Sequence, residues 1–235
     1  MIRHVLFDLD DTLCDFAGAR RRGLTAAFAP LEPTAAEAAL RLWGEVEPGL
    51  YRYFSRRVLS RDGYRRLRFA AVLSAVRGTH AGAVPEPYDL DNAAGAMNHA
   101  FMTEVNDRVK PVPGAVQCLR ALAEQGVGCH VLTNGPLDGQ QRKLTVTGLR
   151  DLVDRVYVSE ELGVAKPDPE VFRRALADLG VPADQVLMVG DSLKYDVAPA
   201  RAAGLPALWY APEHPAGEGG VVRDLTEVPD AAALL

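Results

Sequence analysis

A doubly wound α/β fold with a mainly parallel sheet, interrupted early by an inserted helical segment, is the architecture this sequence predicts. Three observations predict it. The chain opens on a short apolar run, Val5, Leu6 and Phe7, that ends in the carboxylates Asp8, Asp10 and Asp11. From Pro111 onward, short apolar runs alternate with stretches of helical spacing, the pattern of strands joined by crossover helices. Between these two parts, residues 16–108 carry helical spacing and little strand character. A length of 235 residues accommodates a core domain with a second one inserted. The expected division is 1–15 and 109–235 for the α/β core and 16–108 for the helical insertion.

Taken in order, the first strand leads into the acidic run. Residues two apart on a strand point the same way, so Asp8 and Asp10 present two carboxylates to one spot while Asp11 points elsewhere. Like charges that close are unfavourable unless one takes a proton or a cation lies between them. In the insertion, helices are expected over 35–50 and 60–76, the second with an apolar stripe of Leu67, Ala70, Ala71, Val72 and Ala75. A Pro- and Gly-rich break over 78–87 separates these from a helix over 92–106. Pro113 and Gly114 then open a helix whose Val116, Leu119, Leu122 and Ala123 share a face, and Gly126 ends it. Strands follow over 127–133, 156–159, 186–189 and, as the last, 206–210, with helices from about Asp138 and over 169–179 between them. The tail over 213–220 reads as loosely structured.

Composition narrows the function. With 48% hydrophobic residues a sizeable core is available, and no run of about 18 apolar residues reads as a membrane span. Met1 leads directly into a strand, so no secretory signal is visible and a cytoplasmic location is expected. Cys14, Cys118 and Cys129 lack the spacing of metal sites or redox pairs and read as reduced, packed thiols, Cys14 being close enough to the acidic run to be oxidation-sensitive. The net charge of −5 argues against a nucleic acid polymer as partner. It is unevenly spread: residues 16–80 hold twelve arginines, no lysine and five acids, a net of +7 against −12 for the rest. Most of those arginines, Arg20, Arg21, Arg22, Arg56, Arg57, Arg65 and Arg66 among them, read as solvated helix faces.

In open parallel sheets ligands bind outside the carboxyl ends of the strands. The unusual polar groups fall at such ends: Asp8 and Asp10 after the first strand, Thr133 and Asn134 after the second, Lys166 in the loop after the third, and Asp191 after the fourth. Taken singly, Thr133 and Asn134 could be an ordinary cap and Lys166 a surface lysine; four strand ends converging on one crevice make a stronger signal. The set suits phosphoryl transfer. One carboxylate attacks phosphorus and forms an acyl phosphate, and its partner protonates the leaving oxygen and then activates water. Clustered carboxylates favour a hard divalent cation, and a hydroxyl with a lysine offsets charge on the phosphate oxygens.

With these residues in order along nearly the whole chain, the sequence resembles the haloacid dehalogenase superfamily of hydrolases. Its four motifs match Asp8-Leu9-Asp10-Asp11-Thr12, Leu132-Thr133-Asn134-Gly135, Lys166-Pro167 and Gly190-Asp191-Ser192-Leu193-Lys194-Tyr195-Asp196. The resemblance implies Asp8 as nucleophile, Asp10 as general acid and base, and Thr133, Asn134 and Lys166 on the substrate phosphate. It implies Mg2+ held by the Asp8 carboxylate, the Asp10 backbone carbonyl and Asp191, with Asp196 nearby, either through water or as a partner of Lys166. Pro199 departs from the family's usual glycine but falls in a first helical turn, where proline is tolerated.

The same resemblance assigns the insertion to the family's helical cap, which closes over the substrate and excludes water. Asp10 favours phosphoester chemistry over dehalogenation, because dehalogenases of this fold lack the second aspartate. The stretch Leu208-Trp209-Tyr210-Ala211-Pro212 and the segment from Leu42 and Trp43 to Arg68 and Phe69 are similar to the pyrimidine nucleotide 5'-phosphatase branch. The expectation is a Mg2+-dependent phosphomonoesterase, monomer or homodimer, acting on a small phosphorylated metabolite, with a nucleoside monophosphate as first guess. The competitors are a sugar phosphate or phosphoglycolate phosphatase, then a phosphomutase or 2-haloacid dehalogenase, and last a non-catalytic phospholigand-binding module.

Overall fold

The computed structural model describes residues 1–79, 90–215 and 219–235. In chain order its elements are β1 (His4–Phe7), α1 (Phe16–Phe28), α2 (Pro33–Ser55), α3 (Arg61–Thr79), α4 (Leu90–Met102), α5 (Ala115–Glu124), β2 (Gly128–Thr133), α6 (Leu137–Val146), β3 (Arg155–Val158), α7 (Ser159–Leu162), α8 (Glu170–Leu179), β4 (Val186–Gly190), α9 (Ala198–Ala202), β5 (Ala207–Tyr210), β6 (Val221–Val222) and α10 (Val228–Ala233). They divide into two compact units, Met1–Ala17 with Val109–Leu235, and Gly18–Arg108.

The first unit is built on a six-stranded sheet in the order β3-β2-β1-β4-β5-β6, every pair parallel. Strand β1 sits between β2 and β4, and Val5, Leu6 and Phe7 are fully buried, which is why it reads as a continuous apolar run and not an alternating one. The chain winds from β1 to β2 and β3, then crosses back to β4, so the topological switch lies at β1. Phe7 is level with Val131 of β2 and Val189 of β4, and this register brings Asp8, Thr133 and Asp191 to one end of the sheet. On one face Leu6, Leu132, Val186 and Met188 pack against Val171, Phe172 and Ala175 of α8 and Ala200 of α9.

Several expectations shift here. Strand 206–210 is not the last: Val221 and Val222 of β6 pair with Trp209 and Tyr210, a strand of two residues being too short to display a period. Of the tail over 213–220, residues 216–218 lie outside the described residues, while His214 meets the Trp209 ring edge-on with centroids 5.0 Å apart. On α5, Ala115 and Cys118 join Leu119 and Leu122 on the buried face, and Ala123 is exposed.

The second unit is helical. Helix α1 carries no strong apolar stripe because Gly18, Ala19, Gly23 and Ala27 make up most of its buried face. A Cβ on Gly23 would come within 3.0 Å of Phe101, so the small residue lets α1 and α4 approach closely. Helix α2 continues through Pro48 as far as Ser55, about a turn beyond the expected end. The expected break over 78–87 falls mostly outside the described residues; Gly78 belongs to α3. The helix expected over 92–106 starts earlier and changes to a π-helical turn over Thr103–Asp107.

The α3 stripe is also different from the expected one. Tyr64, Arg68, Phe69, Val72, Leu73 and Val76 are buried, whereas Leu67 is 43% exposed. The face was hidden because a charged residue stands in it: the Arg68 guanidinium lies 4.6 to 5.6 Å from the ring centroids of Phe101, Tyr64, Phe69 and Trp43, and donates to Asn98 Oδ1 at 2.6 Å. Trp43 and Phe69 thus serve the core of this unit, with ring centroids 4.7 Å apart. Arg20, Arg21, Arg22, Arg56, Arg57 and Arg66 are exposed, as solvated faces should be.

Candidate active site

The loop after β1 is fixed by its own backbone. Asp8 N–H donates to Val189 O at 2.9 Å, extending the β1–β4 pairing by one residue and burying the Asp8 carboxylate. Asp11 takes a left-handed backbone with φ 64°, and its Oδ1 accepts the Ala17 N–H at 2.5 Å, so it caps the start of α1. Thr12 is fully buried and bridges to the end of the neighbouring β4: its Oγ1 accepts the Asp191 N–H at 3.0 Å.

Lys166 is the hub. Its buried Nζ lies 2.5 Å from Asp8 Oδ1 and 2.6 Å from Asp196 Oδ1. Asn134 holds the Lys166 peptide from both sides, donating from Nδ2 to Lys166 O at 2.7 Å and accepting Lys166 N–H on Oδ1 at 2.9 Å. Asp196, buried, also accepts the Ser192 N–H at 3.0 Å. This close approach requires Gly190, where a Cβ would overlap the Asp196 carboxylate carbon. Of the residues named from sequence, Asp8, Lys166, Asp191, Asp196 and Asn134 are brought together here. Asp10 and Thr133 meet through a residue that sequence reasoning missed, Gln140, whose Nε2 lies 3.0 Å from Asp10 Oδ2 and 2.5 Å from Thr133 Oγ1. Lys143, also missed, pairs with Asp10 Oδ1 at 2.5 Å. A third missed residue is Trp209, whose indole N–H donates to Asp191 O at 2.7 Å.

One carboxylate oxygen each from Asp8, Asp191 and Asp196 lie within 4.8 Å of one another. Burial, with the Asp196 charge against it and Lys166 opposing, pushes the Asp8 carboxyl well above the usual range. Burial followed by the Asp196 and Asp11 charges raises Asp191 to about 6. Burial alone would pull Lys166 down, but the facing Asp8 and Asp196 charges outweigh it and hold the ammonium protonated. Ionised, these three carboxylates would carry more negative charge than one lysine offsets, and their all-oxygen donor set fits a hard divalent cation.

Cys14 departs from expectation: it is buried, and burial with the Asp10 charge beside it pushes the thiol up to about 12. A thiol so rarely ionised is a poor target for oxidation. All three cysteines are free and buried.

A pH dependence follows for the protein without metal. Between its ordinary value of 3.8 and about 6, folded Asp191 binds a proton that the unfolded chain has released. Its contribution is therefore present at low pH and lost as the pH rises through about 6. Thermal melting in excess chelator should show a Tm that falls over this window in the wild type relative to Asp191→Asn. A parallel profile in the two proteins would contradict the assignment.

Comparison with known proteins places the chain in a family. Residues 2–204 match the family model described as haloacid dehalogenase-like hydrolase. A ribulose-1,5-bisphosphate 5-phosphatase of Halopiger xanaduensis is 33% identical over 243 residues, covering 99% of this chain and 92% of that protein. The pyrimidine 5'-nucleotidase YjjG of Escherichia coli is 40% identical over 121 residues, about half of each chain. The crystal structure of the putative hydrolase YfnB from Bacillus subtilis, bound to magnesium, superposes with a TM-score of 0.75 at 25% identity, covering 99% of both chains. The chain belongs to the haloacid dehalogenase-like hydrolase family. It is an enzyme of that class, and curated relatives of it are phosphatases.

Proposed function

We propose that this protein is a Mg2+-dependent phosphomonoester hydrolase that works through an aspartyl-phosphate on Asp8. One observation carries the reading: a second carboxylate, Asp10, stands two residues after Asp8 and is engaged by buried partners of its own. A non-catalytic binding module has no use for a nucleophile and an acid together, and a dehalogenase needs no acid for a leaving halide.

In this mechanism Asp8 attacks phosphorus and the P–O bond to the alcohol breaks. Asp10 gives its proton to the departing oxygen, then takes one from the water that cleaves the acyl phosphate. Lys166 neutralises charge on the phosphoryl oxygens and on Asp8. The Thr133 hydroxyl accepts from Gln140 Nε2, so its own proton is available to a phosphate oxygen. Asn134 serves the phosphate by holding the Lys166 loop in place. Mg2+ would be held by Asp8 and Asp191, with the Asp10 carbonyl and, through water or Lys166, Asp196. When bound it supplies charge neutralisation between the carboxylates and the phosphate.

The division into a core of 1–15 and 109–235 and a helical cap of 16–108 is supported by the partition into two compact units. The substrate is a small phosphorylated metabolite, and the enzyme is taken as cytoplasmic, monomeric or homodimeric. A nucleoside 5'-monophosphate remains the first guess, supported by similarity to the E. coli pyrimidine 5'-nucleotidase. A sugar phosphate is the second reading, favoured by a relative that matches over 99% of the chain.

A phosphate-release screen over mononucleotides, sugar phosphates and phosphoglycolate tests both. Activity should vanish in chelator and return with Mg2+. Calcium should restore little, because it takes more oxygens and binds carboxylates bidentately. Full turnover in excess chelator, or release from none of these classes, would overturn the proposal.

A further inference from the structure

Two residues of α6, Gln140 and Lys143, lie outside every motif that marks the site, yet both are buried and both reach Asp10. They sit one turn apart on one helix face. Lys143 Nζ meets Asp10 Oδ1 at 2.5 Å and Gln140 Nε2 meets Oδ2 at 3.0 Å, so each carboxylate oxygen has its own donor. We infer that Gln140 and Lys143 are positioning residues that hold the Asp10 carboxylate in one orientation for proton transfer.

Two bonds from two donors to two oxygens of one carboxylate remove both its side-chain rotations, which one bond would not. A buried ammonium is unfavourable unless paired, and among the described residues the ion pair of Lys143 is with Asp10. The Phe16 ring, with its centroid 4.2 Å away, packs the ammonium without competing for it. Gln140 is oriented by acceptors on both sides: Asp10 Oδ2 and Thr133 Oγ1 each require its NH2 group, even though this leaves the buried Oε1 without a partner. Gly135 completes the arrangement, because a Cβ there would overlap the Gln140 amide. The glycine after Thr133 and Asn134 is thus what admits Gln140 to the site. Through Gln140, the group that moves the proton and the hydroxyl that faces the phosphate are tied to one side chain.

The inference rests on the phosphatase reading, and the test separates the two. Lys143→Met and Gln140→Leu are made in the wild type and in an Asp10→Asn background, and kcat and KM are measured with Mg2+ on an alkyl phosphate and on para-nitrophenyl phosphate. In the wild-type background each should lower kcat on the alkyl phosphate on the order of 10- to 100-fold, with KM within about threefold. The pre-steady-state burst of phenolate should lose much less, since that leaving group needs no proton. In the Asp10→Asn background Lys143→Met should cost nothing further, because the group it positions is gone, and Gln140→Leu should lose no more than its bond to Thr133 carries. Partial rescue by Lys143→Arg is expected. A purely structural role would give equal losses in the alkyl phosphate kcat and in the phenolate burst, and a Lys143→Met loss that adds in full in the Asp10→Asn background; either result, or an unchanged alkyl phosphate kcat in active enzyme, overturns this inference alone. Should Lys143→Met not fold, Gln140→Leu carries the comparison of alkyl phosphate turnover with the phenolate burst. A wild type that hydrolyses neither substrate overturns the phosphatase reading and this inference with it.

Discussion

Asp8→Asn should abolish turnover, by on the order of 10^4-fold or more, the scale seen when a nucleophile is removed from a working catalytic set. The amide is nearly the size of the carboxylate but a poor nucleophile, so the acyl phosphate cannot form. The fold should survive. Lys166 keeps its ion pair with Asp196 at 2.6 Å, and the amide oxygen can still accept from the ammonium 2.5 Å away. Burial already disfavours the charged form of Asp8, so losing one of the crowded carboxylates relieves the cluster instead of breaking it. Thermal melting should therefore show a Tm no lower than that of the wild type in chelator. Steady-state hydrolysis near the wild-type rate would contradict the assignment of Asp8.

Asp10→Asn should divide substrates by their leaving group. An alkyl phosphate needs its oxygen protonated as the bond breaks, so its hydrolysis should slow by about 100- to 10,000-fold, the range carried by acid–base catalysis. Para-nitrophenolate leaves without that proton, and its first step should suffer much less. The second step still needs Asp10 to activate water, so a burst of phenolate followed by slow turnover is expected. Rapid-quench kinetics on both substrates decide the matter. Equal losses with no burst would mean that Asp10 only orders the site and that the general acid lies elsewhere.

The parts of the site that were legible in the sequence are those where chemistry interrupts an apolar strand. Asp8 and Asp10 stand out because a buried strand end does not tolerate carboxylates without a purpose, and Thr133, Lys166 and Asp191 stand out by falling at other strand ends. The helix α6 gave no such contrast. Gln140 and Lys143 are polar residues at helical spacing, which elsewhere marks a solvated face, and only the buried environment reveals their role. Gly135 was the available signal: a glycine just past a strand end marks a close approach. The same logic applies to Gly190, which admits Asp196. Trp209 stands out in the sequence only through the resemblance of Leu208-Trp209-Tyr210-Ala211-Pro212 to one branch of the family, and nothing in that stretch signals that its indole N–H secures the Asp191 backbone. The topology followed from alternation of strand and helix, and β6 escaped because two residues have no period. In the helical unit, Arg68 broke the apolar stripe of α3, so the buried face was assigned one position away from where it lies.

The central claim, that phosphoryl transfer passes through Asp8, is tested most directly by trapping the intermediate. The enzyme with Mg2+ is mixed with a phosphate-labelled aryl phosphate, quenched in acid within the first turnovers, digested and mapped by mass spectrometry, in the wild type and in Asp10→Asn. The account predicts the phosphoryl group on the peptide containing Asp8, at higher occupancy in Asp10→Asn because breakdown is slowed there, and none in Asp8→Asn. Continued turnover with no covalent phosphate on that peptide, or with the label on another residue, would contradict it.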